Sequence, residues 1–211
     1  KELERRGHRF VRYADDCMIF CKSRKSAERT LENIIPFIEG KLFLKVNRKK
    51  TEVAHISKVK YLGYSFYRSK GKCRLRVHPK SVAKMKNRIR ELTDRNKGIS
   101  NEVREKKYQE YVRGWVEYFR LADMKGLLKT TDEWARRRIR AVYWKQWKKI
   151  KTKYRMLKAL GLEDWKVKEL AYSRKGYWRM AKALNQILSK KIIAKLGYIS
   201  MLDYYLIVCE N

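Results

Sequence analysis

The chain has 211 residues and carries 55 Lys and Arg against 22 Asp and Glu, a formal charge of +33 at pH 7. Nucleic acid suits that charge better than a membrane does, because each phosphate neutralised releases counterions whatever the sequence. No uninterrupted apolar run reaches the about 18 residues of a spanning helix, and the most apolar tail, Leu196 to Cys209, is broken by Gly197 and Asp203.

In chain order, Phe10 to Tyr13 and Cys17 to Cys21 are β-prone runs about a turn at Ala14-Asp15, which predicts a hairpin. From about Ser26 a helix is expected, with Ala27, Leu31, Ile34, Ile35 and Ile38 on one apolar stripe and Pro36 bending its last turns. Leu42, Leu44 and Val46 alternate as a strand would. Tyr61 to Phe66 and Leu75 to Val77 predict two more strands, joined by a turn at Ser69-Lys70-Gly71-Lys72. The period-two pattern then stops, and a boundary is placed at Pro79.

Beyond it the spacing is helical. Val82, Met85, Ile89 and Leu92 form a packing face, while Lys80, Lys84, Lys86, Arg88 and Arg90 fill positions between them. Ser100 is a candidate N-cap for a helix with Tyr108, Tyr111, Val112, Trp115, Tyr118 and Phe119 on its core stripe. A third helix is expected from about Met124 to Ile150, with Leu128, Thr131, Ala135, Ile139 and Val142 inward and Arg136, Arg137, Arg138 and Arg140 wrapping the outside. After a break at Gly161 a last helical region carries Trp165, Leu170, Trp178, Leu184, Ile187, Leu188 and Leu196. With 44% hydrophobic residues, 6 Trp, 14 Tyr and 6 Phe, the chain should fold, as an α+β protein of two small domains.

Asp15 and Asp16 are the candidate site. Adjacent carboxylates at a tight turn repel one another and gain nothing from burial. Two divalent cations about 3.5–4 Å apart, poised for phosphoryl transfer, need such hard oxygen ligands; solvated turn aspartates are the plainer alternative. The basic helices point to RNA contact, with solubility as the alternative. In Tyr143-Trp144-Lys145-Gln146-Trp147-Lys148-Lys149 the rings suit either core packing or stacking on unpaired bases. Cys17, Cys21, Cys73 and Cys209 lack paired ligand spacing and are expected to be reduced core thiols in a reducing compartment. His8, His55 and His78 are scattered and are assigned no chemistry.

The string Phe10-Val11-Arg12-Tyr13-Ala14-Asp15-Asp16-Cys17-Met18-Ile19-Phe20 resembles the palm hairpin of reverse transcriptases. Asn47-Arg48-Lys49-Lys50-Thr51-Glu52, Tyr61-Leu62-Gly63-Tyr64 and Arg113-Gly114-Trp115-Val116-Glu117-Tyr118-Phe119 resemble, in the same order, segments of the group II intron reverse transcriptase/maturase family. So do residues 137–147, Ser173-Arg174-Lys175-Gly176-Tyr177-Trp178 and Leu196-Gly197-Tyr198-Ile199-Ser200-Met201-Leu202.

The resemblance implies the end of a palm over residues 1–79, thumb and maturase helices over 80–150, and the rest of maturase domain X over 151–211. The implied activity is RNA-directed DNA synthesis with assistance to intron splicing and retrohoming; the alternative is an RNA-binding maturase module with no catalytic activity of its own. It puts Asp15 and Asp16 on the Mg²⁺-binding pair, Lys50 on a lysine assisting pyrophosphate departure, and Leu62 and Gly63 on the strand that grips the primer. RNA-binding positions are expected at Lys80, Lys84, Arg88, Arg136, Arg137, Arg138, Arg140, Lys145, Lys148, Lys149, Arg174 and Lys175. Implied partners are group II intron RNA, a DNA target or primer–template duplex and an N-terminal fingers and palm portion, with no membrane; the implied location is the bacterial cytoplasm or an organellar matrix. The family's third catalytic Asp would lie upstream of Asp15, where this sequence has none, and Lys1-Glu2-Leu3-Glu4 reads as the tail of a helix cut mid-chain. The expectation is a fragment with an incomplete two-metal site, inactive alone.

Overall fold

The computed structural model describes residues 2–210 and divides into two compact units, Lys1–Arg76 and Val77–Asn211. It is an α+β chain of ten helices and two small antiparallel hairpins among the described residues. Lys1 of the expected helix tail lies outside those residues; α1 occupies Glu2–Arg5.

In the first unit β1 (Arg9–Tyr13) pairs antiparallel with β2 (Asp16–Phe20), with Tyr13 opposite Asp16 and Arg9 opposite Phe20. α2 (Arg24–Lys41) starts at Ser23, whose hydroxyl accepts from the Ser26 N–H at 3.2 Å, and it buries Ile34 and Ile35 of the apolar stripe. Pro36 sits inside this helix.

The strand expected at Leu42 to Val46 does not form. Phe43 turns left-handed at φ 52°, and the Leu44 N–H returns to the Ile38 carbonyl at 3.2 Å, so the helix end takes the backbone a strand would use. Beyond a 3₁₀ turn (Ile56–Lys58), β3 (Tyr64–Ser69) and β4 (Lys72–Val77) form the second hairpin. Its turn residues Lys70 and Gly71 both have positive φ, 48° and 75°, the twist that suits a two-residue hairpin loop.

The second unit is helical. α3 (Pro79–Leu92), α4 (Asn101–Tyr118) and α5 (Lys125–Gln146) bury Met85, Ile89 and Leu92, Tyr108, Val112 and Val116, and Leu128, Ala135, Ile139 and Val142 against one another. Ser100 caps α4 by accepting from the Val103 N–H at 3.3 Å. The third helix is shorter than expected: Trp147 leaves helical geometry (ψ 59°) and packs edge-on to Trp144, ring centroids 6.0 Å apart. Both rings are buried, at 2% and 5% exposure, which settles them as core. Tyr118 departs the other way, 55% exposed and edge-on to the buried Phe119.

α6 (Ile150–Ala159) packs with α7 (Asp164–Ala171), α8 (Tyr177–Ala183) lies along α5, α9 (Lys190–Lys195) follows, and α10 (Met201–Glu210) packs on α4 and α5. Leu170, Leu184 and Leu188 are buried as expected, whereas Trp165 and Trp178 are exposed.

Two buried charges organise this unit. Arg104, 1% exposed, donates to the carbonyls of Leu92 at 3.0 Å, Asp94 at 2.8 Å and Lys97 at 3.4 Å, satisfying the chain as it leaves α3. Asp132 on α5 accepts from the Ser200 hydroxyl at 2.7 Å and the backbone N–H groups of Met201 at 2.9 Å and Leu202 at 3.0 Å. A carboxylate is thereby held at the start of α10, where unpaired N–H groups and the helix dipole favour negative charge. Among the described residues no helix is long and apolar enough to cross a membrane.

Candidate polymerase hairpin and nucleic-acid interface

The β1–β2 hairpin puts Ala14 and Asp15 in its two-residue turn, with Asp16 opening β2. Ala14 has φ 49°, a left-handed position that costs an L-residue about 1–2 kcal/mol. Arg12 Nε donates to the Ala14 carbonyl at 3.0 Å and fastens the turn. Both carboxylates are exposed, and neither is hydrogen-bonded or ion-paired to a described residue. Burial raises the pKa of the Cys17 thiol, with Arg12 opposing, and raises that of Tyr61, with Cys17 and Asp16 adding to the rise, so Tyr61 lies electrostatically near the hairpin.

Asp15 and Asp16 suit the hard-oxygen chemistry of Mg²⁺, which commonly takes one or two protein carboxylates and completes its shell with water and phosphate oxygens. No third acidic, His or Cys group joins them among the described residues.

Lys50 is exposed in a tight turn where the N–H groups of Lys50 and Thr51 both reach the Asn47 carbonyl, at 3.0 and 3.1 Å. Arg48 anchors that turn to α2 through Glu39, Nη2 to Oε2 2.6 Å, and this bond lowers the Glu39 pKa. Leu62 and Gly63 are a turn instead of the expected strand. Tyr61 and Tyr64 exchange backbone hydrogen bonds at 3.0 and 2.9 Å, with φ 48° at Leu62 and 82° at Gly63. Glycine meets the second position without a Cβ penalty; leucine at the first does not, so backbone strain is held at this segment.

The expected RNA contacts divide sharply. Lys80, Lys84 and Arg88 are exposed at i, i+4 and i+8 on α3, about 6 Å apart along its axis and away from Met85 and Ile89. Arg88 also pairs with Glu91 at 2.8 Å, both side chains about half exposed. Lys148, Lys149, Arg174 and Lys175 are exposed, and Lys145 is half-buried with its ammonium on the Asn96 side-chain oxygen.

The arginines expected to wrap the outside of α5 are a correction. Arg140 is 4% exposed and its Nε donates to the Leu188 carbonyl at 2.8 Å; burial, and then the charge of Arg136, lower its pKa to about 10. Arg138 donates to the Thr93 hydroxyl at 2.7 Å and to the carbonyls of Arg90 and Thr93 at 3.1 and 3.4 Å. Arg137 stacks on Trp178, 4.0 Å from the ring centroid, and donates to its carbonyl at 3.2 Å, while Arg136 is half-buried. The reason is that α3, α8 and α10 all pack on α5, so it has little free surface. The apolar run Ala141-Val142-Tyr143-Trp144 carried that signal, being the pattern of a helix buried all round.

The cysteines are a second correction: all four are free thiols, but Cys17, Cys73 and Cys209 are exposed and Cys21 is half-buried, so none is a core side chain.

Residues 1–66 match the family described as reverse transcriptase (RNA-dependent DNA polymerase), and residues 82–161 match group II intron, maturase-specific domain. Comparison with curated proteins finds no match. Taken together the two matches support one family, and the chain belongs to the reverse transcriptase/maturases encoded by group II introns.

Proposed function

We propose that this chain holds structured group II intron RNA through the exposed cations of its helical unit and contributes the Asp15–Asp16 pair to a Mg²⁺-dependent polymerase site. The observation carrying this is the sorting of charge: Lys80, Lys84, Arg88, Lys148, Lys149, Arg174 and Lys175 stay exposed while Arg104 and Arg140 are spent on carbonyls inside. Cations kept at the surface of a chain of charge +33 repel one another until a polyanion arrives.

In this reading residues 1–79 are the end of a palm, 80–150 the thumb and maturase helices and 151–211 the rest of domain X, and the division between Lys1–Arg76 and Val77–Asn211 falls near the first of these boundaries. Bound Mg²⁺ would polarise a phosphoryl oxygen and neutralise charge developing at the attacking and leaving oxygens. Asp15 and Asp16 would hold the metal, Lys50 would offer a proton or positive charge to departing pyrophosphate, and the Leu62-Gly63 turn would place its backbone against a primer terminus.

The two-carboxylate set falls short of a full two-metal centre, so the 211-residue polypeptide alone is inactive as a polymerase and gains activity with an N-terminal fingers and palm portion supplied in trans. Exposed Val11, Tyr13, Phe20, Phe43 and Leu44 support such a partner. A primer–template or DNA target duplex would share the same electrostatics, and the working location would be a bacterial cytoplasm or an organellar matrix. Primer extension with and without the upstream portion tests this: activity of the isolated chain that vanishes in Asp15→Ala overturns the incomplete-site reading.

A further inference from the structure

A cavity of about 450 Å³ in the helical unit is lined by Arg90, Thr93, Asp94, Arg95, Asn96, Trp134, Arg138, Ala141 and Trp178. That volume falls within the range of small-molecule sites, large enough for one nucleotide. Its walls are guanidinium groups laid on indole rings: Arg90 and Arg138 lie 5.5 and 5.4 Å from the Trp134 centroid. Beside it Arg95 lies 5.1 Å from the Tyr177 ring, and Arg137 backs Trp178 at 4.0 Å.

A guanidinium stacked on a ring holds its in-plane N–H donors at the edge, the geometry that grips phosphate. Arg138 spends its donors on Thr93 and the Arg90 carbonyl and Arg90 gives Nη1 to the Asn87 side chain, so Arg95 and the remaining Arg90 nitrogens face the space. Three arginines line the space against one carboxylate, Asp94, whose Oδ1 is engaged by the Asn96 N–H at 2.9 Å. That excess already tells on Arg138, whose pKa is lowered by burial and then by Arg90, with Arg95 contributing. Trp178 remains 41% exposed despite Arg137 at its ring.

A solvated charged face would spread its arginines into water; these converge on a concavity with aromatic walls. Duplex RNA offers such a space nothing, since its bases are stacked inside the helix. An unpaired base offers a ring to stack and a phosphate beside it.

We infer that this cavity receives one unpaired nucleotide of the bound RNA, its base against Trp178 and its phosphate on Arg90 and Arg95. The inference rests on the RNA-binding reading above and adds a recognition element to it: shape and phosphates bring the RNA in, and the cavity selects transcripts with a splayed base at the right place.

The full chain is titrated with a short RNA hairpin carrying one bulged 2-aminopurine and with the same hairpin fully paired. The bulged hairpin should bind about tenfold tighter, the lower part of the range for one stacked base, and its 2-aminopurine emission should be quenched. Trp178→Ala should abolish both the preference and the quenching while leaving the paired hairpin within about twofold, and Trp178→Phe should retain most of the preference. Arg95→Ala, at an exposed position that does not threaten folding, should reduce the salt slope for the bulged hairpin by about one unit and leave the paired hairpin's slope unchanged.

Equal affinity for the two hairpins with unquenched emission overturns the cavity assignment while leaving RNA binding intact. Failure of both hairpins to bind at moderate salt overturns the RNA reading itself. Displacement of the bulged hairpin by a glutamate-rich peptide of equal charge, as readily as by unlabelled RNA, assigns the cavity to acidic protein instead.

Discussion

The two compact units use the same residue types in opposite ways. Among the described residues of the first, Ile34 and Ile35 are the only buried hydrophobic side chains, and Val11, Tyr13, Phe20, Leu42, Phe43 and Leu44 are exposed. The second buries large aromatics such as Tyr108, Trp144 and Trp147, and takes charged groups inside with them. A thin scaffold can display carboxylates and strained turns cheaply but has little free energy to spare, because net stability is a small difference between large terms. A dense one can hold Arg104, Arg140 and Asp132 in fixed geometry, because backbone carbonyls and N–H groups take up most of their buried polar atoms, the Arg104 Nε excepted. On the proposed function, the first unit works through what is left exposed, and the second through which charges are withheld from the core.

The contrast is tested most severely at the hairpin. Asp15→Ala with Asp16→Ala should reduce cDNA synthesis by the reconstituted protein on the order of 1,000-fold, given several kcal/mol from metal-assisted charge neutralisation. Intron affinity and assisted splicing should stay nearly unchanged, since neither carboxylate supports the fold. An equal loss of splicing in the same variant breaks the separation between the units.

Asp132→Ala should do the reverse. It removes the acceptor for Ser200, Met201 and Leu202 at a buried helix start, and denaturant unfolding should show a loss of about 3 kcal/mol, from charge-assisted hydrogen bonds and donors left unsatisfied. A loss within about 0.5 kcal/mol, ordinary for a surface change, would make Asp132 dispensable.

A smaller effect follows from the tyrosines. Burial raises Tyr108, Tyr143 and Tyr198 above the ordinary tyrosine range. Their unfolded counterparts release protons near pH 10 while the folded groups keep theirs, so the contribution is complete below about pH 10 and declines as pH rises further. Each can remove up to about 1.4 kcal/mol per pH unit in that window. Unfolding free energies measured across the alkaline range should fall, and Tyr198→Phe should make the fall shallower.

The elements were largely legible in the sequence because they rest on local signals. The hairpin about Ala14-Asp15, the Ser100 cap, the Lys70-Gly71 turn and the apolar stripe of α3 all follow from residues a few positions apart. What was illegible depended on distant partners. Nothing near Arg140 in sequence announces the Leu188 carbonyl, 48 positions away, and nothing near Asp132 announces Ser200. Arginine clusters look alike whether they face phosphate or a helix end. At Leu62-Gly63 a β-prone string yields to a glycine that tolerates positive φ and lets the chain turn. The cavity around Trp134 and Trp178 was hidden for the same reason, its arginines coming from α3, the loop after it and α5.

The most direct test is the salt dependence of binding to a structured group II intron transcript, compared between two variants. Replacing Lys80, Lys84 and Arg88 with Ala should lower the log–log slope by roughly one unit per lost phosphate contact and leave folding stability within about 0.5 kcal/mol. Arg140→Gln should lower stability and leave the slope where it was. An unchanged slope in the triple variant, or a slope that falls with Arg140 instead, would contradict the account.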